Sequence, residues 1–370
     1  MRVLVGISTE QSISNPSMGS ERQTSGYANA LAERGHVVHL VNILKESPDW
    51  SIPYDVCHLI NASGLKGPYE LTAQLCREKE IPVLISPVYW PTDEVEKELV
   101  AKKGVVTADA GVIANKFAMH INGVARMLLE ADMLLPNAEA EMRVVEDLIQ
   151  AKPEYRVIHN GVNVKEEIEP ALKLNEYELM FDKGLEDMLH ERFVLCVGRV
   201  EVRKNQDALI SALKPLWEED PDLQLVLMGE RSAPYMKFIQ EEIKGKNILL
   251  CPPGPPGAVM KIMRRCTTHA LVSFIETPGL VNLEAAALNK PIVVADRGSV
   301  REYLGEREGV FYCEPTDVYS ITKALRGALA CGEVESLGKF VRETYCYERI
   351  ANILENTYKE AIDVYGVDKR

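Results

Sequence analysis

The sequence predicts an α/β protein of two doubly wound domains, and three observations carry the prediction. Short apolar runs alternate with helical patterns along almost the whole chain, which is the mark of parallel sheets built from strand–helix–strand units. At 370 residues the chain is too long for one ordinary core and fits two. From Gly161 to Glu191 the pattern degrades into an acidic, weakly periodic segment, so the boundary is expected near residues 164/165.

In order, Arg2 to Ile7 reads as a first strand, followed by a polar loop and a helix ending at Arg34, with Gly35 in the usual terminating place. Val37 to Val41, Tyr54 to Ile60, Pro82 to Pro87, Ala131 to Pro136 and Tyr155 to His159 are expected to complete that sheet. Helices are expected near 68–79, 93–103, 112–130 and 138–150. The second set begins at Phe193 to Val197 with a helix from Asn205 to Trp217. It continues through Leu223 to Met228, Ile248 to Cys251, Ala270 to Phe274 and Pro291 to Ala295, with helices near 258–265, 281–288 and 317–331. The run CPPGPPG, Cys251 to Gly257, reads as a tight turn, and the last 25 residues as an amphipathic helix.

Composition narrows the function. A net charge of −13 spread over both halves argues against a nucleic-acid partner, which needs a basic face. The eight cysteines contain no C-x-x-C pair and are expected to be reduced, buried thiols of a cytoplasmic protein. The N-terminus lacks the pattern of a signal peptide, and no apolar run is long enough to span a bilayer, so any membrane contact is expected to be peripheral.

The chemistry concentrates in ALVSFIETPGLVNLEAAALNKPIVVAD, Ala270 to Asp296. A strand, a glycine loop and a helix N-terminus make an anion site, because unpaired N–H groups and the positive dipole end face the loop. Glu276 in the loop and Glu284 one turn inside the helix frame it. An anion site with two flanking acceptors suits a ligand that has a phosphate and several hydroxyls, and a nucleotide sugar is one.

This stretch resembles the donor signature of retaining GT-B glycosyltransferases, in particular the family-4 type (glycosyl transferases group 1): Glu276, Gly279, Leu280, Glu284 and an Ala-rich helix. Three more segments are similar to that family: Val197-Gly198-Arg199 followed by Arg203-Lys204-Asn205; Met18-Gly19 before the first helix, with Met18 departing from a glycine pair; and Asn160-Gly161-Val162-Asn163, a turn that closes the first domain. The resemblance implies two Rossmann-like domains facing a deep cleft, 1–164 on the acceptor side and 165–349 on the donor side. A C-terminal helix, about 350–370, would cross back to the first.

By the same resemblance, Arg199 and Lys204 hold and stabilise the diphosphate, Glu276 holds the transferred sugar, and Glu284 binds the ribose. Gly19, Gly198, Gly279, Leu280 and Val281 complete the donor pocket. Family members often carry a histidine after the fourth strand, where this chain has Val88-Tyr89-Trp90. Tyr89, Trp90 and His120 are therefore the acceptor candidates, although aromatic packing explains the first two equally well. The resemblance implies a nucleoside diphosphate sugar as co-substrate, a carbohydrate, lipid-linked or small-molecule acceptor, no cofactor and no metal. The single D-x-D string, Asp220-Pro221-Asp222, sits at a turn where those residues serve the backbone. A dinucleotide enzyme would need G-x-G-x-x-G and a serine hydrolase G-x-S-x-G, and neither is present. A non-catalytic sugar- or nucleotide-binding scaffold and a nucleotide-sugar epimerase of the same fold remain the alternatives.

Overall fold

A computed structural model describes residues 1–7, 19–61, 66–90, 123–173, 185 and 187–367. They fall into two compact units, Met1–Gly161 with Tyr347–Arg370, and Val162–Cys346.

The first unit is a five-stranded parallel sheet of β1 (Arg2–Ile7), β2 (Val37–Asn42), β3 (Val56–Ile60), β4 (Val83–Ser86) and β5 (Met133–Leu134). Its strand order is β2-β1-β3-β4-β5. β1, β3 and β4 are almost wholly buried, as strands covered on both faces must be, and this is why they read as continuous apolar runs. Helices α1 (Gly19–Glu33), α2 (Lys66–Glu78) and α3 (Glu139–Ile149) flank it. The C-terminal helix, Tyr347–Val367, belongs to this unit: Ile350, Ala351, Leu354 and Tyr358 share a core with Val3, Tyr27 and Leu31. It is also tied by polar contacts, since buried His58 on β3 bonds both the Tyr358 hydroxyl at 2.7 Å and Ser86 at 2.8 Å.

One expected strand fails here. Tyr155 to His159 pairs with β5 by a single bridge, Leu134 to Tyr155. Leu134 N–H donates to Glu154 O, Arg156 N–H to Leu134 O and Ile158 N–H to Pro136 O, at 2.8–3.0 Å. The next rung needs an N–H that Pro136 lacks, so the ladder is interrupted. The helix expected at 93–103 and His120 lie outside the described residues.

The second unit holds β6 (Phe193–Val197), β7 (Gln224–Met228), β8 (Ile248–Cys251), β9 (Thr268–Leu271), β10 (Ile292–Ala295) and β11 (Val310–Cys313), all parallel, in the order β11-β10-β9-β6-β7-β8. Besides the short helical segment 164–173, its helices include α4 (Gln206–Glu219), α5 (Ala233–Ile243), α6 (Pro256–Arg265), α7 (Leu280–Ala287), α8 (Val300–Leu304), α9 (Val318–Cys331) and α10 (Glu335–Thr344). The chain builds outward from β6 through β7 to β8, then returns to place β9 on β6's other side. The carboxyl ends of β6 and β9 therefore flank the point where strand order reverses, which is where open α/β sheets bind ligands.

Two elements differ from expectation. The strand expected at Ala270 to Phe274 is β9, Thr268–Leu271, because the chain leaves the sheet at Val272. There Val272 O accepts from the Asn205 amide and Phe274 N–H donates to Arg203 O, so loop contacts replace the ladder. The proline turn runs straight into α6, whose first residue is Pro256, a place where a missing N–H is harmless.

Candidate functional site

The site grows from the two strand ends at the reversal point. β6 delivers Gly198 and Arg199; after one 3-10 turn, Val202–Lys204, the chain enters α4 through Asn205. β9 delivers the loop that carries Glu276 and ends in α7. The two meet in an ion pair between Lys204 Nζ and Glu276 Oε1. Both side chains are nearly enclosed, 12% and 10% exposed. Burial pushes the Glu276 carboxyl up, but the Lys204 charge, then that of Arg203, with the hydrogen bond from Lys204, outweigh it and leave Glu276 below the ordinary carboxylate value.

The Glu276 loop is fixed by close backbone packing. Ser299 N–H donates to Glu276 O at 3.2 Å, and a Cβ on Gly298, at φ +70, would stand 2.3 Å from that same oxygen. Only glycine lets the 297–299 turn come this near. Gly279 (φ +78) is the second case: a Cβ there would lie 2.9 Å from Asn282 Nδ2 and 3.3 Å from Glu276 Oε2. Asn282 Nδ2 donates to Pro278 O at 2.9 Å, which holds the loop against the first turn of α7. The N–H groups of Leu280 and Val281 stand in that turn, without helical acceptors by position.

The sequence-derived candidates fall into four sets. Lys204 and Glu276 touch, and Gly279, Leu280 and Val281 open α7 immediately after Glu276. Arg199 is 57% exposed and only loosely paired, at 3.8 Å from Glu201 and 3.7 Å from Glu230, so its guanidinium is held by neither. Glu284 is buried within α7 at 3% exposure. Gly19, Tyr89 and Trp90 belong to the other unit. Gly19 is the first residue of α1. Tyr89 N–H donates to buried Glu141 at 2.7 Å, next to Val88 in a left-handed conformation at φ +50. The Trp90 indole N–H is enclosed and has no acceptor among the described residues.

Two more polar groups lie under the site: Asn205, which the sequence offered only as part of the Arg203-Lys204-Asn205 motif, and His269, which sequence reading passed over. His269 on β9 is wholly buried; Val197 N–H donates to its Nε2 at 3.4 Å, and burial lowers its pKa to about 3. A histidine inside an apolar run has no outward signature until its strand neighbour is known. Among the described residues no group of three or more His, Cys, Asp and Glu side chains is arranged to hold a metal ion, and no helix is long and apolar enough to cross a membrane.

With this geometry in view, comparison with known proteins is informative. Residues 181–344 match the family described as Glycosyl transferases group 1. The D-inositol 3-phosphate glycosyltransferase of Corynebacterium glutamicum is 28% identical over 251 residues, which are 64% of this chain and 59% of that protein. The chain thus spans about three fifths of that relative's length. Among solved structures, sucrose-phosphate synthase from Thermosynechococcus elongatus superposes with a TM-score of 0.75 at 16% identity, covering 98% of this chain and 100% of the other. Anabaena HepE, solved in complex with UDP, gives 0.70 at 14% identity over 97% and 100%. The two parallel-sheet units are those of the GT-B fold.

Proposed function

We propose that this chain, whose residues 181–344 match the family described as Glycosyl transferases group 1, is a retaining, metal-independent glycosyltransferase that moves a sugar from a nucleoside diphosphate sugar to an acceptor hydroxyl. The observation that carries the reading is the enclosed Lys204–Glu276 pair beside the N-terminus of α7. A cation, a carboxylate and free helix N–H groups at one point suit a diphosphate joined to a sugar.

In this reading the acceptor oxygen attacks the anomeric carbon, the bond from that carbon to the diphosphate oxygen breaks, and the acceptor proton passes to the leaving diphosphate. Lys204, Arg199 and the N–H groups of Leu280 and Val281 stabilise the charge that grows on the leaving group. Glu276 accepts from the sugar hydroxyls and fixes the anomeric carbon, Glu284 serves the ribose, and Gly198 leaves room for the phosphates. Tyr89 and Trp90 are proposed to contact the acceptor, a carbohydrate, a lipid-linked sugar or a small molecule. Work in the cytoplasm with at most peripheral membrane contact completes the proposal. Because a structural neighbour is bound to UDP, uridine donors are the first to try.

Lys204→Ala and Glu276→Gln each test it: both should lower transfer and donor hydrolysis by about 10²-fold or more. Undiminished turnover in either would remove the role assigned to that residue.

A further inference from the structure

We propose that Asn205 is a positioning residue of the donor site: its buried amide fixes the backbone turn from which Lys204 reaches Glu276. The proposal rests on the reading of Lys204 and Glu276 as donor-binding groups, and it names a residue whose amide is spent on backbone carbonyls and that acts through Lys204.

Asn205 is 1% exposed and sits in a left-handed conformation, φ 58 and ψ 32. Its Nδ2 carries two hydrogens, and both are used. One goes to Val272 O at 3.1 Å, where the chain leaves β9, and the other to Pro315 O at 2.8 Å, just past β11. One residue before Lys204, Arg203 O accepts from Phe274 N–H at 3.1 Å. Lys204 is therefore held between two stitches that both lead into the loop bearing Glu276. A lysine chain has several rotatable bonds, so the place of its ammonium depends on how firmly its Cα is held.

The residue type fits both demands. The left-handed backbone disfavours most side chains but tolerates Asn and Gly. Glycine would keep the turn and lose both amide bonds. Aspartate would set an acceptor against two carbonyl oxygens. Asn alone among these supplies the backbone geometry and the two donors.

Calorimetric titration of UDP, GDP and ADP into wild type, Lys204→Ala, Asn205→Gly and the double variant tests the proposal. Asn205→Gly should bind the preferred nucleotide about tenfold or more weakly, and the double variant no more weakly than Lys204→Ala alone, because Asn205 acts through Lys204. Wild-type affinity in Asn205→Gly, or losses that add in the double variant, would overturn it. A readout free of any ligand runs beside this: carbon NMR of the Glu276 carboxyl. In Asn205→Gly its titration midpoint should rise as Lys204 draws away, and an unmoved midpoint overturns the proposal. Should wild type bind none of the three nucleotides, the functional reading falls, and the Glu276 midpoint alone decides the role of Asn205.

Discussion

Lys204 and Glu276 pair with each other, so each variant of the pair has two consequences. Deleting one partner of an enclosed ion pair leaves the other charge uncompensated, which costs up to about 3–5 kcal/mol in a fully buried case and less at the 12% and 10% exposure found here. Glu276→Gln keeps a polar group opposite Lys204 and should cost only about 1–2 kcal/mol by thermal unfolding, while turnover falls far more. The sign with pH is fixed. Glu276 titrates below its unfolded value of 4.5, so its stabilisation is present above pH 4.5 and is lost as pH falls through the folded pKa. Unfolding free energy followed from pH 6 downward should decline less steeply in Glu276→Gln than in wild type; identical slopes would show that the carboxylate is not held by Lys204. The spacing of Glu276, Gly279 and Glu284 was legible in the sequence because backbone chemistry demands it locally. Asn205 stood in a motif, but the role of its amide was not legible, since its two acceptors, Val272 and Pro315, are 67 and 110 positions away.

Elements were legible where their patterns are self-sufficient and obscure where a neighbour decides. β6, buried on both faces, stands where its apolar run lies, whereas ALVSF continues the apolar pattern past the end of β9 because Asn205 and Arg203 capture that backbone. Tyr155 to His159 looked like a strand, and Pro136 on its neighbour breaks the ladder. The 297–299 turn gives a direct test at this scale. Gly298→Ala places a Cβ against Glu276 O in a left-handed conformation and should destabilise by about 2–4 kcal/mol, read from chemical denaturation. A change below about 0.5 kcal/mol would mean that the turn does not clamp the Glu276 loop. His58 joins β3 to the C-terminal helix, and burial depresses its pKa from 6.5 to about 3. The unfolded chain takes up this proton first, so stability should fall by about 1.4 kcal/mol per pH unit from pH 6.5 toward 3. His58→Gln should flatten that limb, and an unchanged limb would place the acid sensitivity elsewhere.

At the scale of the whole molecule, the last helix decides what counts as a unit. Tyr347–Val367 follows the second sheet in sequence but supplies Ile350, Ala351, Leu354 and Tyr358 to the core around β1. Removing residues 347–370 should therefore unfold or aggregate the first unit while Val162–Cys346 keeps its own core, seen as loss of one set of protected amides in hydrogen exchange. Retained protection at Val3 and Leu31 would contradict it. The amphipathic pattern marked this segment as a helix, but its partner His58 lies 300 residues back, beyond what periodicity reports. The second unit is proposed to carry a nucleoside diphosphate sugar site built on Lys204 and Glu276. Thermal unfolding with UDP, GDP and ADP, for wild type and Lys204→Ala in parallel, tests it most directly. At about 100 times its dissociation constant one of these nucleotides should stabilise the wild type by about 2.7 kcal/mol, a rise of several degrees, and leave Lys204→Ala nearly unmoved. No response to any of the three, or an equal rise in both proteins, would contradict the account.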